Sequence, residues 1–156
     1  MLKTLDLHPS ANPSHYDTCM GMLALLGATS AFGGFSLTHA VGVLHCALKT
    51  ENFRIYLGRN DRPSAALLWA FLDDEARTEY LQKGYLADVD AWNSGSELWF
   101  LHVIAEGGKI KDLIEDTKTA APFAAYNKGY MLRRSRSGKR RIISVSRDGI
   151  RLSRTL

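Results

Sequence analysis

Three rhythms of apolar and polar positions divide this 156-residue chain into elements. Residues 1–16 are polar, include Pro9 and Pro13, and read as an N-terminal arm. Asp17 or Thr18 is placed to cap a helix through Met20, Met22, Leu23, Leu25 and Leu26, which the glycine-rich stretch Gly27 to Ser36 ends. Leu37 to Leu48 is a second helix or an irregular apolar segment. A two-residue rhythm then predicts a hairpin, with strands at Asn52–Leu57 and Ser64–Phe71 around a turn rich in Gly, Asn, Asp and Pro. Asp73 to Leu81 has acidic residues in its first turn, as helix N-termini favour.

The sharpest signal is Leu98 to Ala105, a charge-free run between turn residues and Gly107-Gly108. It is too short to span a membrane and reads as a central strand, apolar on both faces. Strict alternation puts Leu98, Phe100, His102 and Ile104 on one face and Trp99, Leu101, Val103 and Ala105 on the other. His102 is the only ionisable group inside it. Ile110, Leu113 and Ile114 keep helical spacing directly after the glycines, and a strand, glycine turn and helix present backbone N–H groups to an anion. Gly107, Gly108 and Lys109 are therefore the candidate contacts for a phosphate, such as that of a coenzyme. Gly129–Arg136 and Arg140–Arg147 read as two further strands, and the tail Ile150–Leu156 as an addition to an edge.

Charge changes this picture more than composition does. The apolar and charged fractions, 46% and 23%, are those of an ordinary globular domain, and residues 17–156 read as one. The net charge of +4 conceals an asymmetry: residues 128–154 hold ten basic side chains against Asp148 alone, a net +9, and residues 1–127 a net −5. Arg133, Arg134, Arg136, Lys139, Arg140 and Arg141 are the candidate partner-binding residues, for a negatively charged partner such as nucleic acid. Cys19 and Cys46 fit neither a disulfide framework nor a metal spacing, and no metal site is expected. The apolar run Met20–Phe35 is interrupted by glycines and lies behind a polar lead, so neither a membrane span nor a signal peptide is expected, and a cytoplasmic location fits.

The order of elements is that of an α/β acetyltransferase-like domain, with a mixed, mostly antiparallel central sheet flanked by helices. Within that fold the sequence resembles the toxin-activating lysine acyltransferases of RTX cytolysins, the hemolysin-activator family. The stretch from Ser64 to Leu81 is similar to that family's strand ending in tryptophan and the helix after it. Asp90-Ala-Trp-Asn-Ser-Gly-Ser-Glu-Leu-Trp-Phe100 resembles its Asp-Trp-x-Ser-Gly-Asp-x-x-Trp-Phe motif, and Ile104 to Gly108 takes the place of its Ile-Ala-Pro-Phe-Gly. The resemblance spans roughly residues 43–118, with a looser match beyond. It implies transfer of an acyl group from acyl carrier protein, or acyl-CoA, to the ε-amine of a protein lysine by a cytoplasmic homodimer with no permanently bound cofactor.

Two departures from the family pattern define the candidate site. The family's catalytic aspartate, three residues beyond the tryptophan, is replaced by His102, and its essential histidine falls near Gly33 or Gly34, with His39 the nearest histidine. Acyl transfer to an amine needs a base, and a desolvated imidazole is neutral at pH 7 and able to accept a proton. His102 suits that role; alternatively His39 is the base and His102 orients it, or His102 is a core histidine with a satisfied hydrogen bond. His8, His15 and His45 are given no role. Three functions follow: an acyltransferase with a rearranged histidine site, a relative that has lost catalysis and acts by binding or inhibition, and a nucleic-acid-associated protein using its basic hairpin.

Overall fold

A computed structural model describes residues 3–28, 30–105, 110–120, 123–146 and 148–156. Seven strands form one sheet in chain order: β1 (Lys3–Thr4), β2 (Phe53–Leu57), β3 (Pro63–Leu72), β4 (Glu97–Ala105), β5 (Lys128–Arg134), β6 (Arg140–Ser146) and β7 (Gly149–Thr155). Neighbours are antiparallel except β4 and β5, which run parallel. Helices α1 (Pro13–Gly27), α2 (Leu37–Thr50) and α3 (Asp74–Lys83) contribute to the core on one face, and α4 (Ile110–Thr119) covers the other. The mixed, mostly antiparallel sheet flanked by helices is thus the expected class.

The first helix begins earlier than the expected cap at Asp17 or Thr18. Asn12 caps it, its side-chain oxygen accepting from Ser14 N at 2.9 Å, and Pro13 takes the first helical position, where its missing N–H costs nothing. Lys3 and Thr4 pair with Leu57 and Tyr56, and Ser10 donates to Glu51 at the end of α2, so the N-terminal segment is tied at two points. Cys19 and Cys46 are buried free thiols, pushed up to about 11 by burial and therefore poor nucleophiles.

The two core layers divide cleanly by residue parity along β3: Ala66, Leu68, Ala70 and Leu72 face α1–α3, while Ala65, Leu67 and Trp69 face α4. Along β4 the parity breaks. Leu68 pairs with His102 but Trp69 pairs with Phe100, leaving Leu101 without a counterpart in a β-bulge. Trp99 and Leu101 lie on the α1–α3 face, and so do His102 and Ile104 beyond the bulge. The expected grouping of His102 with Leu98 and Phe100 is corrected accordingly, because those two pack on the α4 side. The inserted residue turns His102 from one face of the sheet to the other.

Candidate functional site

Parallel pairing between β4 and β5 is confined to Trp99 with Tyr130 and Phe100 with Met131. Beyond these residues the two strands continue to Ala105 and Arg134 without pairing to each other, opening a cleft flanked by Leu101 and Leu132. Cavities lie on both faces of this cleft and share Ala31, Leu101, Leu132 and Arg134. The one under α4, about 480 Å³, is walled mainly by apolar side chains, among them Leu67, Phe100, Val103, Leu113 and Ile114. That volume and lining suit a small apolar ligand. The other, about 380 Å³, contains His102 with Phe35, Tyr80, Lys83, Arg134 and Arg140. None of the three tryptophans lines the larger cavity: Trp92 donates to Leu86 O in the core, Trp99 stacks on Tyr130, and Trp69 packs edge-on against Phe123.

His102 stands where the bulge delivers it, its ring 5.1 Å from that of Phe32 and 5.9 Å from that of Phe35. Its Nε2 is buried and finds no hydrogen-bond partner among the described residues. Burial holds its pKa down to about 4 from the ordinary 6.5, since an apolar surround penalises the imidazolium. The folded chain therefore refuses a proton that the unfolded chain binds between these values. Stability contributed by this group is complete above about pH 6.5 and is lost as pH falls towards 4, at about 1.4 kcal/mol per unit and about 3 kcal/mol in all. Urea unfolding across that window should show this loss, and a phenylalanine at residue 102 should remove its share of the slope.

Phe32 is seated by the chain itself. A Cβ at Gly27 would lie 1.9 Å from the Phe32 ring, so only glycine lets the loop fold back over the end of α1. Gly33 and Gly34 then fall between the two phenylalanines that pack on His102, and aromatic rings occupy the side from which a loop histidine would reach it. His39 is exposed in the first turn of α2, its Nε2 3.1 Å from the Tyr85 hydroxyl and its ring 4.5 Å from the Tyr85 ring. Tyr85 packs on Phe35, and Phe35 on His102, so the two histidines are joined through aromatic contacts and by no hydrogen bond among the described residues.

The basic hairpin is formed by β5 and β6, with Arg133 opposite Arg141 and Arg134 opposite Arg140. Like charges in directly opposed positions destabilise a ladder. Arg140 is diverted to the end of α3, where its guanidinium donates to the carbonyls of Leu81 and Gln82. Arg133, Arg134, Arg136, Lys139 and Arg141 pair with no carboxylate of the described residues. Gly107, Gly108 and Lys109 lie outside the described residues, and no cluster of metal-ligating side chains occurs within them. No helix of the described residues is long and apolar enough to cross a membrane.

One side chain that the sequence does not single out fixes a cavity wall. Asp116 of α4 accepts from Arg54 Nη1 at 3.0 Å and from the Tyr56 hydroxyl, both on β2. Burial and this carboxylate push the Tyr56 hydroxyl well above its usual range. Asp116→Asn should leave Arg54 without its counter-charge, cost about 1–3 kcal/mol, and raise amide exchange across residues 110–119 more than elsewhere. Equal exchange in both proteins would show that α4 is held by Leu113 and its apolar neighbours alone.

A model of the RTX toxin acyltransferase family matches residues 13–146. An uncharacterized protein of Synechocystis sp. (strain ATCC 27184 / PCC 6803 / Kazusa) is 26% identical over 95 residues, which are 60% of this chain and 65% of that protein. The match thus takes in just under two thirds of that relative. The family match runs from the first residue of α1 to the last of β6 and takes in the bulge, the cleft, the His102 cavity and all of the larger cavity's lining but Ile150. The chain belongs to the RTX toxin acyltransferase family.

Proposed function

We propose that this protein transfers an acyl group from a thioester, carried by acyl carrier protein or coenzyme A, to the ε-amine of a lysine on a protein. The observation that carries the reading is an imidazole whose buried Nε2 has no hydrogen-bond partner among the described residues, on one side of a β4–β5 cleft whose other side is mainly apolar. The α4 cavity takes the acyl chain, and the lysine enters from the His102 side. The amine attacks the thioester carbonyl, forming the C–N bond of a tetrahedral adduct. His102 Nε2 accepts the proton of that adduct's ammonium, which is far more acidic than a free alkylammonium. Collapse breaks the C–S bond, and the thiolate leaves with the proton from His102. Gly107, Gly108 and Lys109 serve the donor's phosphate, and the basic hairpin docks the acidic carrier. The family reading also supports a cytoplasmic homodimer.

The phenylalanines on His102 favour a second reading, in which the fold is kept for binding and the chemistry is lost. Intact-mass analysis separates the two: the protein is incubated with acyl-carrier and acyl-CoA thioesters and lysine-bearing candidate proteins. An acyl mass added to a lysine, dependent on the protein, supports transfer. Unchanged masses with every donor would leave the binding reading.

A further inference from the structure

We infer that Arg134 activates the acceptor, its positive charge at the mouth of the His102 cavity holding the incoming lysine as its free amine. This rests on the acyltransferase reading above. The cavity that holds His102 has three cations in its lining, Lys83, Arg134 and Arg140, and no carboxylate among its described residues. The charged and titratable groups facing it come from every surrounding element. From α3 come Lys83, whose Nζ lies 2.7 Å from Glu79, and Tyr80, whose hydroxyl donates to Leu101 O. From β4 comes His102, from β5 Arg134, and from β6 Arg140, while His39 of α2 stands behind Tyr85.

These cations are not equivalent. The charge of Lys83 is offset by Glu79, and Arg140 is fixed on the last carbonyls of α3, a place that favours cations. Arg134 is opposed in register by Arg140 and pairs with no carboxylate of the described residues. It also lines the larger cavity, so it is the one cation common to the described linings of the two that is not fixed elsewhere.

The chemistry at His102 needs such a charge. A free lysine ammonium, with an ordinary pKa of about 10.4, is too weak an acid for a buried imidazole to deprotonate. A like charge nearby disfavours the ammonium, as when lysine nucleophiles are activated by a neighbouring cation. The proton is released to solvent as the lysine enters, and the amine meets the thioester with its lone pair free. The imidazole is then left only the proton of the adduct.

The test is the pH dependence of kcat at saturating acyl-carrier thioester and lysine-bearing protein, from about pH 6 to about pH 10 around the acceptor's range, because kcat reports the ionisation of the bound acceptor. Wild type, Arg134→Gln and Arg134→Lys are compared, with hydroxylamine as a second acceptor that is already neutral at pH 7. Arg134→Gln should move the rising limb up by about one unit, a roughly tenfold loss at pH 7, and Arg134→Lys should restore most of it. The loss with hydroxylamine should be several-fold smaller. A limb that stays in place, or equal losses for both acceptors, would overturn the inference and leave the acyltransferase reading standing. Absence of transfer by wild type to any acceptor would overturn both.

Discussion

Gly95→Ala is expected to cost about 3 kcal/mol and to lower the melting temperature by about 10 °C for a chain of this length. A Cβ at Gly95 would stand 2.4 Å from Asp73 N and 2.5 Å from Leu72 C and O. Those are backbone atoms, and they are not free to move. Gly95 N donates to Phe71 O at 3.0 Å, and Asp73 N donates to Ser94 Oγ at 3.1 Å. Ser94 Oγ in turn donates to Ala91 O, and Asn93 Oδ1 accepts from Asn52 Nδ2 at 2.8 Å. Asp73 also caps α3, accepting from Ala76 N at 2.8 Å. One knot therefore fixes the end of β3, the start of α3 and the approach to β4. Gly21→Ala makes the opposite control: nothing lies within 4 Å of its new Cβ, and a helical glycine so replaced stabilises by roughly 0.5–1 kcal/mol. Urea midpoints for both variants decide the matter, and a Gly95→Ala protein as stable as wild type would show that the knot yields.

That knot explains why so much of the fold is legible in the chain. Trp92, Asn93, Ser94 and Gly95 form the motif through which the family resemblance is seen, and its residues are spent on hydrogen bonds and close approach, not on chemistry. The 53–72 hairpin, α3 and the last three strands follow from local signals of period, turn and charge. What local signals miss is pairing at a distance. Lys3 and Thr4 are too few to show any period, and their strand exists only because β2 presents an open edge. The start of α1 was available in Asn12-Pro13, a cap followed by the residue best suited to a first helical position, yet the apolar residues begin later and pull the reading towards Asp17.

The site shows the same limit more severely. Two-residue alternation is a good guide along β3, and along β4 it fails at one residue, Leu101. No side chain in Leu98–Ala105 announces a bulge, which belongs to the register between two strands and not to either alone. The consequence is large, because the bulge decides which face His102 serves. Phe32 and Phe35 are equally silent in sequence, since an apolar residue in a glycine-rich loop has no period to place it. The pairing of Gly27 with Phe32, five residues apart, is visible only as a close approach. The basic hairpin is legible as charge, but not the division of labour in which Arg140 ties down α3 while Arg134 stays free.

His102→Phe should abolish transfer and leave the protein at least as stable as before. A general base contributes about 10²–10⁴-fold to rate, and phenylalanine has no atom to accept a proton. Loss of that size in protein-dependent acylation is expected, with His39→Ala losing far less, because its ring is exposed and separated from His102 by two aromatic side chains. The stability half of the prediction discriminates between a working histidine and a packing one. A buried polar atom without a partner costs about 1–3 kcal/mol, and Nε2 of His102 has none among the described residues. Phenylalanine removes it and completes a cluster with Phe32 and Phe35 that is already aromatic. A core histidine with a satisfied nitrogen would behave the other way, losing stability on substitution and sparing activity. A His102→Phe protein that melts higher and no longer transfers acyl groups would mean that the chain carries an unsatisfied imidazole for its chemistry. One that melts lower and still transfers would remove His102 from the mechanism.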